Sequence, residues 1–345
     1  MSSRPDVIVV GAGIVGLSIA FHLEERGASV RVVDRAGIGA GASGLQPGGV
    51  RQQWGTETNC LLVRESVRFF AAVAERLQMR VDPGFRKCGY LFLAHSERAL
   101  QKLRENVALQ NSLGVPSRVV SAAEAAELVP ELDASSVLGG AWCAEDGYFD
   151  RPQAILEALG ALADVELADV SDVAGLDADA IVVAAGVDTP RLLPELPIDA
   201  EPRSLFFSDR IQERLLEPLV VSAENGFAAK QLADGRLLAS DLRAGSRANV
   251  RRGFEELLPR LVYVELPALV EGLYDVTPDQ QPILGLVRDG VWVAAGFSGR
   301  GFMQAPAVGR IIAQAVVGAG ADPVLSVFDA ARFAEDRMVP EPSVV

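Results

Sequence analysis

The stretch "DVIVVGAGIVGLSIAFHLEERGASVRVVDR", residues 6 to 35, admits few folds. Val7 to Val10 form the unbroken apolar run that a strand buried on both faces requires, whereas Ile14 to Leu23 carry helical spacing. Gly27 stops the helix and "VRVVD" reads as the next strand, so the segment predicts a βαβ unit. Gly11, Gly13 and Gly16 fall in the order G-x-G-x-x-G between the first strand and the helix. The first turns the chain, the second lets a diphosphate approach the backbone, and the third lets helix and strand pack closely. The helix N-terminus then offers free N–H groups, and Asp34, at the end of the second strand, can accept hydrogen bonds from an adenosine ribose.

The rest of the chain repeats this texture at a distance. "AGIGAGASGLQPGGVRQQWGT" is rich in glycine and lacks a period, which predicts a loop. Residues 57 to 80 and 96 to 113 read as helices with "GYLFLAH" as a strand between them, and "ADAIVVAAG" is a second buried strand ending at Gly186. Between about 197 and 275 short alternating runs, "SLFFSD", "LVVSA", "GFAAKQ" and "RLLAS", predict a mostly antiparallel sheet. The tail "DGVWVAAGFSGRGFMQAPAVGRIIAQAVVG" is again strand, glycine turn and helix. At 345 residues the chain exceeds one simple core. The expected architecture is α/β with two domains. Residues 1–50, 140–196 and 275–345 form a discontinuous Rossmann-like nucleotide domain, into which a mostly antiparallel substrate domain of 51–139 and 197–274 is inserted.

Composition removes other classes. A net charge of −14 without a basic cluster argues against nucleic acid as partner. The most apolar run, Val7 to Phe21, is broken by three glycines and too short to span a membrane, and it lacks a signal-peptide flank, so a soluble cytoplasmic protein is expected. Cys60, Cys88 and Cys143 have neither pair nor metal spacing, which fits buried thiols in a reducing compartment; no metal is expected. His22 and His95 are the only histidines, and His22 sits in the apolar helix pattern as a core residue. "GASGL" misses the nucleophile elbow G-x-S-x-G at Leu45.

G-x-G-x-x-G does not separate NAD from FAD; the second glycine turn does. Gly296, Ser298, Gly299 and Gly301 precede the helix of the tail and can supply N–H groups and a positive dipole end where negative charge develops on a reduced flavin, near N1–C2=O. Two distant loops would hold the two ends of one extended cofactor, FAD.

Six motifs in order, G-x-G-x-x-G with Asp34, "GAGASG" to "GG" at 39–49, "DGYFDRPQ" at 146–153, "VVAAG" at 182–186, "YDVTPDQQPILG" at 274–285 and "GFSGRGFMQAP" at 296–306, resemble one family. It is that of the FAD-dependent amino-acid and amine oxidoreductases, which includes D-amino acid oxidase, glycine oxidase and sarcosine oxidase. The nearest likeness is to the branch of sarcosine oxidase β-subunits and dye-linked proline dehydrogenase β-subunits. The resemblance implies cofactor contacts from Ile14, Val15 and Arg35, from Ala42, Ser43, Gly48 and Gly49, from Ala185 and Gly186, and from Arg300, Phe302 and Met303. Relatives that attach FAD covalently use a Cys where this chain has Gly272, so noncovalent FAD is expected. Met303 replaces a carboxylate-anchoring Lys of sarcosine oxidase, and the 150–180 segment is shorter than in relatives, which place another strand or two there.

The resemblance also implies the substrate site. Arg51 matches an active-site Arg, and Lys230 occupies the place of a carboxylate-binding Arg, with an exposed strand lysine as the alternative. Tyr274 can orient substrate or serve the core. Arg300 stands where relatives often carry His and either contacts the flavin or caps the glycine loop. The implied chemistry is oxidation of the C–N bond of glycine, sarcosine, proline or a similar amine by hydride transfer from the α-carbon to flavin N5. Oxidases of this group place a Lys near the flavin, where this chain has Leu238, which favours a dehydrogenase or a subunit passing electrons to a partner over reaction with O2. The alternatives are a 2-hydroxyacid or glycerophosphate dehydrogenase and an electron-relay subunit of a hetero-oligomer.

Overall fold

The computed structural model describes residues 4–243 and 245–341. Its centre is a six-stranded sheet in which Val7–Val10 lies between Ala180–Val183 and Val30–Asp34, all parallel. Val165–Leu167 forms one edge, and Val291–Ala295 with the antiparallel Ile283–Arg288 forms the other. The four residues Val7–Val10 are buried on both faces, which explains their unbroken apolar run. Helices Ile14–Glu24 and Gly301–Val316, from opposite ends of the chain, pack together on one face. Their contact is intimate: Ser18 Oγ donates to Ala305 O at 2.9 Å, and a Cβ on Gly309 would lie 2.5 Å from Ser18 Oγ.

The opposite face is covered differently from the expected pattern. Between 150 and 180 the chain supplies only helix Pro152–Leu162, the short edge strand Val165–Leu167 and one turn of 3₁₀ helix, Val173–Gly175. Irregular chain therefore does the covering, with Val173, Leu192, Leu193, Leu196 and Ile198 buried against the sheet.

The second sheet has eight strands in the order Ala268–Val276, Asp199–Arg210, Arg236–Asp241, Phe227–Gln231, Leu219–Ser222, Tyr90–Ala94, Gly139–Cys143 and Arg118–Ser121. Most neighbours are antiparallel; Leu219–Ser222 runs parallel to Tyr90–Ala94. Period-two alternation divides its side chains. Phe206, Phe227, Leu237 and Ala239 enter a core closed by helix Arg247–Leu257, whereas Leu205, Ala228, Lys230, Leu238 and Ser240 face the first sheet across a cavity.

The sequence-derived division at 50 and 140 shifts in two places. Helix Glu57–Ala71 packs on Gly301–Val316, and Cys60, Leu62, Val63, Phe69 and Phe70 join the core of the nucleotide sheet, although 51–139 was assigned to the substrate domain. Gly139–Cys143 pairs with Tyr90–Ala94, so the bound at 140 cuts through a strand of the second sheet. The first difference arises because helical periodicity marks an apolar face without naming the surface that covers it, and the second because a short strand does not name the strand it pairs with.

Candidate active site

The two sheets enclose a cavity of about 640 Å³. At one end are Gly11, Gly13, Asp34 and Arg35; at the other are Arg51, Lys230, Tyr274, Gly299 and Met303. Ile14, Val15, Ala42, Ser43, Gly49, Ala185, Gly186, Gly301 and Phe302 line the stretch between.

The nucleotide end is built by backbone approach. A Cβ on Gly11 would lie 2.2 Å from Ala184 O, and Gly11 has φ +118°, so only glycine lets the turn pass under the neighbouring strand. Gly16 and Gly48 fall outside the cavity lining: a Cβ on Gly16 would meet Gly11 O at 2.0 Å, the helix–strand packing role expected of it. Ser43 Oγ accepts from Ile14 N at 3.0 Å, tying the glycine-rich loop to the first helix. Asp34 accepts from Ala12 N, Ala36 N and Gly37 N, each at 2.8 Å, and so fixes the loop beside any ribose contact it makes. Arg35, at the same end, pairs with Asp188 at 2.7 Å.

At the second glycine turn the structure corrects part of the expectation. Gly296 N donates to Asp275 Oδ2 at 2.7 Å and Ser298 N to Asp275 O at 2.9 Å, so these two amides are committed to the protein and neither residue lines the cavity. Arg300 also points away from it. Its Nε donates to Phe297 O at 3.2 Å and its Nη1 to Gln281 Oε1 at 3.3 Å, so it caps the loop. The amides at the cavity are those of Gly301, Phe302 and Met303, in the first turn of a 16-residue helix, where N–H groups have no intrahelical acceptor.

Arg51 is held from several sides. Its guanidinium lies 3.5 Å from the Trp54 ring centroid and 5.1 Å from that of Phe92, and Nη1 donates to Gln53 O at 2.6 Å. Burial pulls its pKa down to about 10, opposed by the charge of Glu341, so it stays cationic at neutral pH. Asp146 pins this segment by accepting from Gln52 N at 2.8 Å and Gln53 Nε2 at 3.1 Å, and burial lifts its pKa to about 6. Glu341 accepts from Gly55 N at 2.8 Å, Thr56 Oγ1 at 2.7 Å and Asn59 Nδ2 at 2.7 Å, which anchors the C-terminal segment beside Arg51.

Lys230 is only 1% exposed, which rules out the exposed strand lysine. Nζ donates to Pro47 O at 2.9 Å and lies 4.1 Å from the Tyr148 ring centroid, and burial lowers its pKa to about 7. Tyr274 is stacked by Arg203, whose Cζ lies 5.3 Å from the ring centroid, and Arg203 is paired to Glu201 at 2.7 Å. A Cβ on Gly299 would strike Tyr274 Cε2 at 2.3 Å, so the glycine loop and the tyrosine are shaped to one another.

Sequence reasoning missed Arg203, Asp275 and Glu341 as parts of this region. Asp275 follows Tyr274 in the motif "YDVTPDQQPILG", which could have signalled it, whereas Arg203 and Glu341 stand in segments without a pattern. Both histidines are structural: His95 is bonded to Ser136 O at 2.6 Å and Ser222 Oγ at 2.8 Å, and His22 to Glu25 at 2.8 Å. The three cysteines are buried and free, and no described helix is long and apolar enough to cross a membrane.

Comparison with known proteins places this geometry. The DAO family pattern, "FAD dependent oxidoreductase", matches residues 6–315. The chain belongs to this family. Glycine oxidase of Geobacillus kaustophilus is 28% identical, over 92% of this chain and 94% of its own. Sarcosine oxidase subunit beta of Rhodobacter capsulatus is 24% identical, over 98% of this chain and 91% of its own. Among solved structures, L-proline dehydrogenase from P. horikoshii aligns with a TM-score of 0.89 at 25% identity, covering 97% of this chain and 99% of the other. The protein is thus an FAD-dependent oxidoreductase, and the glycine cradle at Gly11 and the free amides at Gly301 to Met303 fit a cofactor of that length and charge.

Proposed function

We propose that this oxidoreductase acts on the C–N bond of a small amino acid or secondary amine of the glycine, sarcosine or proline type. The observation that carries the reading is the one cavity that joins the Gly11–Asp34 cradle to a pocket lined by the cations Arg51, Lys230 and Arg203 and by a largely apolar roof. Noncovalent FAD, when bound, supplies the acceptor for a hydride from the substrate α-carbon, and the resulting imine hydrolyses in water.

The protein's own residues bind, orient and exclude water. Arg51, cationic at neutral pH, offers a fixed charge to the substrate carboxylate, and Lys230 adds a second charge that switches near neutrality. Tyr274 orients the amine, while Leu205, Leu219, Val221, Leu238 and Val270 close the roof with apolar surface. The first-turn amides of Gly301–Val316 would face the flavin and favour negative charge there. No dedicated base is needed if the amine binds deprotonated.

Lys230 pairs directly across from Leu238, so the cavity holds a lysine one strand away from the place the family resemblance marked. This neighbour gives O2 a cation to approach and supports an oxidase, while Leu238 itself supports transfer to a partner redox subunit. Three buried free thiols support a cytoplasmic place of work.

The test is anaerobic titration of the purified yellow protein with glycine, sarcosine, proline and both enantiomers of common amino acids. Bleaching of the visible flavin absorbance by at least one is expected; admitting air then separates oxidase from dehydrogenase. Bleaching by 2-hydroxyacids alone, or by nothing, refutes the amine reading.

A further inference from the structure

We propose that a second, smaller cavity beside Tyr274 is an anion subsite, and that the preferred substrate is an amino acid or secondary amine carrying a second carboxylate. The inference rests on the amine reading above and narrows it. This cavity, of about 150 Å³, is bordered by Arg203, Arg243, Tyr274, Gln280 and Ser298. It shares Arg203, Leu242 and Tyr274 with the main cavity, so the two adjoin at these three side chains.

Three features of this cavity support the assignment. First, two arginines border one small concavity, and only one of them is paired to a carboxylate. Arg203 pairs with Glu201 at 2.7 Å, whereas among the described residues Arg243 has no carboxylate within salt-bridge distance. The nearby carboxylates are committed elsewhere: Glu224 accepts from Ser96 Oγ and His95 N, each at 2.6 Å, and Asp241 accepts from Arg243 N at 3.1 Å and Ser246 N at 3.0 Å. Second, Arg243, although exposed, is restrained by two contacts. Its side chain lies over Gly226, where a Cβ would meet Cδ at 3.0 Å, and Nη2 donates to Glu224 O. A cation fixed before binding loses less entropy on capture.

Third, the wall is strained. Gln280 has φ +56° and Ser298 has φ +49°, two of only four described non-glycine residues with positive φ. Left-handed backbone in such residues is retained where the surroundings over-determine it, most often at ligand sites. In a chain of net charge −14, two arginines on one concavity offer an anion a local attraction that the rest of the surface opposes.

The experiment uses FAD-loaded protein and two readouts. Calorimetry compares succinate with butyrate, dicarboxylate and monocarboxylate probes of equal carbon number, in the wild type and in Arg243→Gln. Anaerobic stopped-flow compares flavin reduction by N-methylglutamate with that by sarcosine in the same two proteins. The wild type is expected to favour the dicarboxylate by about 5- to 10-fold in both comparisons, as one charge-assisted contact gives. In Arg243→Gln each ratio falls toward 1, while Arg243→Lys retains part of it. Succinate bound no tighter than butyrate, or a preference that survives Arg243→Gln, overturns the subsite whatever the amine chemistry. Reduction by neither of these amines nor by any amine of the panel above overturns the functional reading, and the calorimetric ratio then still decides the subsite.

Discussion

Lys230→Met removes a charge from the roof while keeping most of the side-chain volume. Lys230 is buried, bonds Pro47 O at 2.9 Å, and has its pKa drawn from 10.5 to about 7 by burial. That displacement corresponds to about 5 kcal/mol between the charged and neutral forms, at about 1.4 kcal/mol per pKa unit. Because the folded pKa lies below the unfolded one, the cost is fully present below pH 7, declines as pH rises from about 7 to 10.5, and is gone above. The stability of the wild type relative to Lys230→Met should therefore rise with pH across that window by up to about 5 kcal/mol, with a slope near 1.4 kcal/mol per pH unit. Urea unfolding of both proteins without substrate at pH 6, 7, 8, 9 and 10 measures it, and taking the difference cancels the other titrations. A difference that stays flat between pH 7 and 10, or that falls, refutes the assignment of Lys230 as a desolvated, switchable cation. The same titration predicts that, in the wild type, affinity for a substrate carboxylate weakens above neutral pH and that Lys230→Met abolishes that part of the dependence.

Two further outcomes are expected. Gly11→Ala places a methyl 2.2 Å from Ala184 O in a backbone of φ +118°, so the protein should purify with little FAD and with stability reduced by about 3 kcal/mol, read from the flavin-to-protein absorbance ratio and a thermal melt. Glu341→Gln removes the carboxylate whose charge supports both buried Arg51 and Arg300, and should cost about 3 kcal/mol and raise KM more than it lowers kcat; a variant indistinguishable from wild type in urea and in KM refutes that role.

The nucleotide half was legible because its constraints are local. A parallel strand buried on both faces must be apolar throughout, the turn beneath Ala184 must be glycine, and both facts appear as consecutive letters. The lining of the cavity by Arg51, Lys230 and Tyr274 was approachable through motif resemblance. The geometry of Gly296, Ser298 and Arg300 was not. Whether an amide faces a cofactor or a neighbouring carboxylate depends on Asp275, on a strand 21 residues earlier, and on Gln281.

Local pattern was enough for a βαβ unit, a second glycine turn, a mostly antiparallel second sheet and an acidic chain poor in histidine. Only the tertiary structure decided that helix Glu57–Ala71 joins the nucleotide core, that Lys230 is buried against Tyr148, and that Arg203 and Arg243 share a cavity with Tyr274. The physical reason is range. Strand alternation, helix spacing and turn chemistry act over a few residues, whereas desolvation and charge pairing act between groups that the chain brings together only after it has folded.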